Sequence, residues 1–118
     1  MNLFDTTQLG LERALTGASM RQATLAGNIA NANTPGYQRR DVDFHGALSA
    51  AMDAGRGAVQ NVAFSAETVP NSTMRADGNS VDIDVESASM ASNALEYEAL
   101  VSVARGRIDV LESAMGTR

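Results

Sequence analysis

At 118 residues the chain has room for one ordinary domain, and its net charge of −5 sits on a composition without lysine, cysteine or tryptophan. The missing cysteine excludes disulfides and thiolate metal sites, and nine arginines with no aromatic-interleaved basic block argue against a nucleic-acid partner. Two tyrosines and three phenylalanines leave this Ala-, Val-, Leu- and Met-rich chain material for only a thin private core.

The opening MNLFDTTQLGLERAL has no basic n-region and no continuous apolar core, so it predicts neither a cleaved signal peptide nor a transmembrane helix. Residues 6–33 read as a first helix. Leu11, Leu15, Ala18, Gln22, Leu25, Ile29 and Ala32 follow steps of four and three, the spacing of a helix that presents one seam to a partner helix. Asp5 or Thr6 suits the N-cap. Gln22 interrupts the stripe, and Gly10, Gly17 and Gly27 each weaken the helix by about 1 kcal/mol relative to Ala. Such a helix is marginal until it is packed.

Thr34-Pro35-Gly36-Tyr37 stops it. Pro35 cannot donate a backbone hydrogen bond and pushes Thr34 out of helical geometry, which sets the helix end near Asn33. Pro then Gly at the two central positions predicts a type II turn, with Tyr37 as its anchor. Asn28, Asn31 and Asn33 suit local bonds to the carbonyls that an ending helix leaves free.

Residues 34–83 read as this turn and an irregular connecting segment. Within it, 46–54 predicts a short helix and VQNVAFSAETV a short strand. Asp77-Gly78, with Met74 before and Val81 and Ile83 after, predicts a hairpin turn. Residues 84–115 read as the second long helix, whose Met90, Ala94, Tyr97, Val101, Ala104, Ile108, Leu111 and Met115 keep the four-three rhythm unbroken. Asp82 and Asp84 favour its N-terminus, Gly116 its end, and its length is roughly 45 Å. Leu95, Leu100, Val103 and Val110 lie off that seam and widen the apolar surface beyond what one partner helix covers. The expected fold is mainly α: long N- and C-terminal helices forming a coiled coil, joined by an irregular middle segment with a short β-hairpin.

The chemistry-bearing residues do not assemble into a reactive site. Asp41, Asp43 and His45 include the chain's one histidine, and residues two apart share a face only on a strand. Asp77, Asn79, Asp82, Asp84 and Glu86 faintly resemble a calcium loop. Val81 stands where its fifth ligand belongs and Asp82 where its glycine belongs, so a turn entering a helix explains the carboxylates better. Ser72 and Thr73 have no base partner in sequence, and there is no glycine-rich phosphate loop. Arg39-Arg40 reads either as a pair for acidic residues of a neighbouring subunit or as exposed surface. The methionines read as core or interface filler. No catalytic residue, metal, cofactor, nucleic acid or small-molecule substrate is expected.

The string GNIANANTPGYQRRDVDF resembles the N-terminal signature of bacterial flagellar rod and hook proteins. Asn28, Ile29, Ala30, Asn31, Thr34, Pro35, Gly36 and Tyr37 match its pattern. The run from Arg40 to Phe44 looks like the FlgB-type branch, the proximal-rod branch of that family. DGNSVDIDVESASMASNALEYEAL, residues 77–100, resembles the family's second signature through Asp77-Gly78-Asn79, Val81-Asp82 and the Asn93 to Tyr97 helix face. The resemblance implies a structural role in the basal body's periplasmic rod, reached through the flagellar type III export apparatus without a cleaved signal. It also implies terminal helices that form a coiled coil and stack helically above the export gate and MS ring. The implied partners are further copies of the chain, the FliE adaptor and other rod proteins such as FlgC. The expected family-signature turn is Asn28, Asn31, Thr34, Pro35, Gly36 and Tyr37. The expected assembly seams are Leu11, Leu15, Leu25 and Ile29 with Met90, Tyr97, Val101, Ile108 and Leu111. The rival reading is a small soluble coiled-coil adaptor or regulator that closes as a dimer.

Overall fold

The computed structural model describes residues 5–70 and 73–116; Phe4 and Ser72 lie outside the described residues. The elements run α1 (Thr6–Ala30), β1 (Arg40–Asp41), α2 (Phe44–Ala54), α3 (Arg56–Asn61), β2 (Glu67–Thr68) and α4 (Ile83–Gly116). None of these helices is long and apolar enough to cross a membrane.

The two long helices carry the fold, and their ends follow from short polar side chains. Asp5 caps α1, its carboxylate accepting from the Gln8 backbone N–H at 2.8 Å. The helix ends at Ala30, three residues before the expected boundary. Asn31 leaves helical geometry, and its side-chain amide donates to the Gly27 carbonyl at 2.9 Å, so the stop is made before Pro35 is reached. Asp82 caps α4, accepting from the N–H groups of Asp84 and Val85 at 3.0 and 3.3 Å.

Gln8, Gln22 and Asn28 along α1 meet Arg107, Asn93 and Glu86 along α4, so the pair is antiparallel. The molecule measures 64 × 28 × 14 Å, with a radius of gyration of 17.7 Å against about 13 Å for a compact chain of this length. A body this thin has little interior. Its apolar cluster is Ala14, Ala18, Val42 and Phe44, with Leu48, Phe64 and Leu100 packed around it. Phe44 meets Phe64 edge-on, ring centres 6.2 Å apart.

The glycines expected only to weaken α1 have a use. A Cβ on Gly17 would stand 2.5 Å from the Phe44 Cβ, and one on Gly10 would stand 3.1 Å from the Met52 sulfur. The two glycines let α2 lie directly against α1. Gly27 has nothing within 4 Å of such an atom and is a pure propensity loss.

The middle departs from the expectation in three places. α2 begins at Phe44 rather than 46, because Asp43 caps it through the Gly46 N–H at 3.1 Å. Val59 to Asn61, expected in a strand, belong to α3, which buries Val59 completely. The short antiparallel sheet pairs Arg40 with Thr68 and Asp41 with Glu67, joining distant segments instead of flanking Asp77-Gly78. The Asp77-Gly78 turn does form, with Gly78 at φ +82° and its N–H on the Arg75 carbonyl at 3.0 Å, but no described strand leads into or out of it.

The side of α4 that faces α1 also differs from the apolar stripe. Glu86 and Asn93 are its buried residues, with Leu100 and Arg107 continuing the line at seven-residue intervals. Met90 and Tyr97 lie about 40°, and Val101 and Ile108 about 100°, around the helix from that line, at 100° per residue. The helix turns a polar edge to its partner and leaves much of its apolar stripe on the outside.

Candidate functional site

The two sequence motifs meet in one buried polar junction where α1 ends and α4 begins. Asn28 is its hub and is wholly excluded from solvent. Its amide nitrogen donates to the Arg40 carbonyl at 2.7 Å and to Glu86 Oε2 at 3.0 Å. Its carbonyl oxygen accepts from the Tyr37 hydroxyl at 3.1 Å and the Arg40 N–H at 3.0 Å. Every hydrogen-bonding position of this side chain is used. Glu86, equally buried, takes Asn28 on one oxygen and the Arg39 guanidinium on the other. A buried carboxylate is tolerable only when it is paired and hydrogen-bonded in this way.

Asn79 makes the second half. Its amide nitrogen donates to the carbonyls of Asn31 and Thr34 at 2.8 and 2.7 Å, while its oxygen accepts from the Val81 N–H at 2.8 Å. The carbonyls of Asn31, the C-cap of α1, and of Thr34 in the turn are thus satisfied by a residue 48 and 45 positions away. Thr34-Pro35-Gly36-Tyr37 closes through the Tyr37 N–H on the Thr34 carbonyl at 3.2 Å, with Gly36 at φ +77°, the geometry of a type II turn. The Gly36 N–H reaches the Asp77 carbonyl at 2.9 Å, and the Ser80 N–H reaches the Tyr37 carbonyl at 3.0 Å. Arg75 adds a donor to the Ala32 carbonyl at 2.6 Å.

Charged groups brace the junction. Asp41 bridges Arg21 at 2.9 Å and Arg39 at 3.6 Å. Partial burial pushes the Asp41 carboxyl up, but the hydrogen bonds from Arg21 and the Val42 N–H and the two nearby positive charges hold it below its ordinary value. Asp77 is also lowered, by the Arg75 side chain and the Asn79 N–H. Arg39 therefore finds its acidic partners, Glu86 and Asp41, within its own chain, while Arg40 donates to the Ala66 carbonyl at 2.5 Å.

The residues weighed for reactive chemistry are occupied otherwise. Asp43 caps a helix, His45 pairs with Glu96, Asp77 with Arg75, and Asp82 caps α4. Among the described residues, no group of three or more His, Asp or Glu side chains is placed to hold a metal ion.

Of the expected signature residues, Asn28, Asn31 and Tyr37 bond into the junction, and Thr34 also offers its carbonyl. Pro35 is exposed, and Gly36 contributes backbone. Of the seam residues, Leu25 is fully buried; Leu11, Leu15, Ile29, Met90, Val101 and Leu111 are half-buried; Tyr97 and Ile108 remain 39% and 46% exposed. Glu86, Asn79 and the Arg39 pairing escaped sequence reasoning as a junction. The available signal was Glu86 and Asn93, two polar residues one heptad apart on an otherwise amphipathic helix.

Comparison with known proteins matches the same segments. The sequence profile of the flagella basal body rod protein family matches residues 11–38, from the second turn of α1 through the Thr34–Tyr37 turn. The flagellar basal body rod protein FlgB of Escherichia coli K12 is 38% identical over 115 positions, covering 82% of this chain and 83% of that protein. FlgB of Yersinia enterocolitica is 35% identical, covering 88% and 89% of the two chains. FlgB of Bacillus subtilis 168 is 33% identical and covers 98% of this chain and 97% of its own. With these identities extending over nearly the whole length, the chain belongs to the FlgB family of flagellar basal body rod proteins.

Proposed function

We propose that the chain is a non-enzymatic axial subunit of the proximal rod, stacking helically with further copies of itself as part of the drive shaft above the MS ring and export gate. In this reading it leaves the cytoplasm through the type III export apparatus without a cleaved signal. A FliE-type adaptor and FlgC-type rod proteins are its neighbours. One observation carries the proposal beyond family membership. Of the ten large apolar side chains left exposed among the described residues, eight lie on α4: Ile83, Val85, Leu95, Tyr97, Val103, Ile108, Val110 and Met115. Apolar surface concentrated along one long helix is what neighbouring helices cover in an assembly.

The test is an in-frame deletion complemented by wild-type or altered chain, scored by swimming and by imaging basal bodies. Deletion is expected to leave MS rings without a rod. Ile108→Asp, on the exposed stripe, is expected to keep the helix content of the purified chain and to abolish rods, because it buries a charge in an apolar contact. Complete rods in the deletion strain, or a wild-type rod yield from Ile108→Asp, would overturn the proposal. A stable, fully helical closed dimer in sedimentation would favour an adaptor instead.

A further inference from the structure

Between α1 and α4, midway along the pair, lies a cleft of about 270 Å³ whose wall includes Gln22, Asn93, Ala94, Tyr97 and Glu98. Asn93 is 1% exposed and donates to the Ala18 carbonyl and to Gln22 Oε1, both at 2.8 Å. Its own Oδ1 is the single buried side-chain polar atom without a hydrogen-bond partner among the described residues. An unmatched buried acceptor is destabilising, and native chains rarely keep one unless something else supplies the donor. Glu98, on the same wall, has no ion pair among the described residues. The cleft thus has a free carboxylate on its wall, beside a buried side chain whose own acceptor is unmatched, and it calls for a cationic side chain.

The chain carries such a group on the same helix. Arg105 is exposed, makes no hydrogen bond or ion pair among the described residues, and follows Glu98 by seven positions; Glu112 follows by seven more. The signs along this line alternate: acid, base, acid. Val101 and Ile108 lie beside it, on the apolar stripe left outside the α1–α4 contact. We propose that α4 of a second copy docks into this cleft, with its Arg105 donating to the Glu98 carboxylate. The planar guanidinium is suited to meet a carboxylate with two parallel N–H donors.

The alternation also sets the offset. A parallel neighbour displaced by one heptad, about 10.5 Å along the axis, brings its Arg105 beside Glu98 and its Glu112 beside Arg105. Its Val101 and Ile108 then lie beside Ala94 and Val101 of the first copy. With no displacement, each charge would face its like. This inference rests on the self-assembly reading above and adds one contact between two copies within it, with its offset.

The test is a charge exchange in the deletion strain, with the wild-type chain as control. Glu98→Arg and Arg105→Glu are each expected to lower the yield of rods about tenfold or more while the purified variants keep wild-type helix content, because like charges then meet at the contact. Adding Glu112→Arg to the double exchange reverses every charge on the line and is expected to return the yield to within about twofold of wild type. A triple variant no better than the singles, or singles that assemble normally, overturns the proposal. Because the chain has no cysteine, a second measurement is clean. Glu98→Cys mixed with Arg105→Cys should cross-link on oxidation, and neither should do so alone. A 98-to-98 or 105-to-105 link, or no link within assembled rods, also overturns it. A wild-type control that forms no rods defeats the self-assembly reading itself, and so is told apart from failure of this contact.

Discussion

Asn28 and Glu86 are 58 residues apart in the chain, both excluded from solvent, and joined by a 3.0 Å hydrogen bond. Asn28 also holds both backbone groups of Arg40 and the hydroxyl of Tyr37, so one side chain ties the end of α1 to the start of α4 and the segment between them. Replacing it with alanine strands four polar groups. At about 1–3 kcal/mol for each buried group that water cannot reach, and with some relaxation, Asn28→Ala should cost about 2–4 kcal/mol in urea denaturation. Asn28→Asp should cost more at neutral pH, since it cannot donate and sets a second carboxylate against Glu86. An Asn28→Asp chain as stable as wild type would contradict this account.

Gly17 and Gly27 make a controlled pair on one helix. Alanine favours helix over glycine at both positions by about 1 kcal/mol, yet only Gly27 has room for the added atom. Gly27→Ala should raise the thermal midpoint by a few degrees. Gly17→Ala should lower stability by about 1–3 kcal/mol, because the new methyl meets Phe44 at 2.5 Å. Equal effects of the two changes would mean that α2 does not pack on α1 at Gly17.

Gly78 tests the contact between the two turns. It sits at φ +82°, where a side chain is strained, and an added Cβ would stand 3.4 Å from the Gly36 Cα. Gly78→Ala should cost about 1–2 kcal/mol. Amide hydrogen exchange should accelerate at the Gly36 N–H, which is held by the Asp77 carbonyl.

Stability should fall in acid and stay level across the neutral range. Asp5, Asp41 and Asp77 all titrate below the ordinary 3.8: Asp5 through the Gln8 N–H and Arg107, Asp41 through Arg21 against the opposing effect of burial, Asp77 through Arg75. A carboxylate with a lowered folded-state pKa binds fewer protons in the folded chain than in the unfolded one. Its contribution is complete above the unfolded value and is lost as pH falls through the folded one. Thermal midpoints should therefore be flat from pH 7 to about 5 and drop below about pH 4. Asp41→Asn should shrink that drop.

Local chemistry was legible in the sequence, and long-range polar pairing was not. Pro35 and Gly36 dictate their turn whatever surrounds them, and the four-three rhythm over 84–115 marks a helix by itself. The facing side of α4 could not be read from that rhythm. Periodicity reports where apolar residues lie, whereas Glu86 and Asn93 are buried by partners 58 and 75 residues away. Gly17 read as a weakness in α1 because its reason, the Phe44 ring, belongs to another helix. Of VQNVAFSAETV, Glu67 and Thr68 do pair as a strand, while Val59 to Asn61 join α3, where Val59 is fully buried.

The polar edge between α1 and α4 has a mechanical consequence. Two helices held by a uniform oily stripe can slip past each other by a heptad and lose little, since one leucine replaces another. Here the pairs Gln8–Arg107, Gln22–Asn93 and Asn28–Glu86 occur at three separate heights along the pair. A slip of about 10.5 Å would break all three and strand buried amides and a buried carboxylate together. A shift along the long axis therefore has no partial stop: the three pairs must be lost together before the helices can slide.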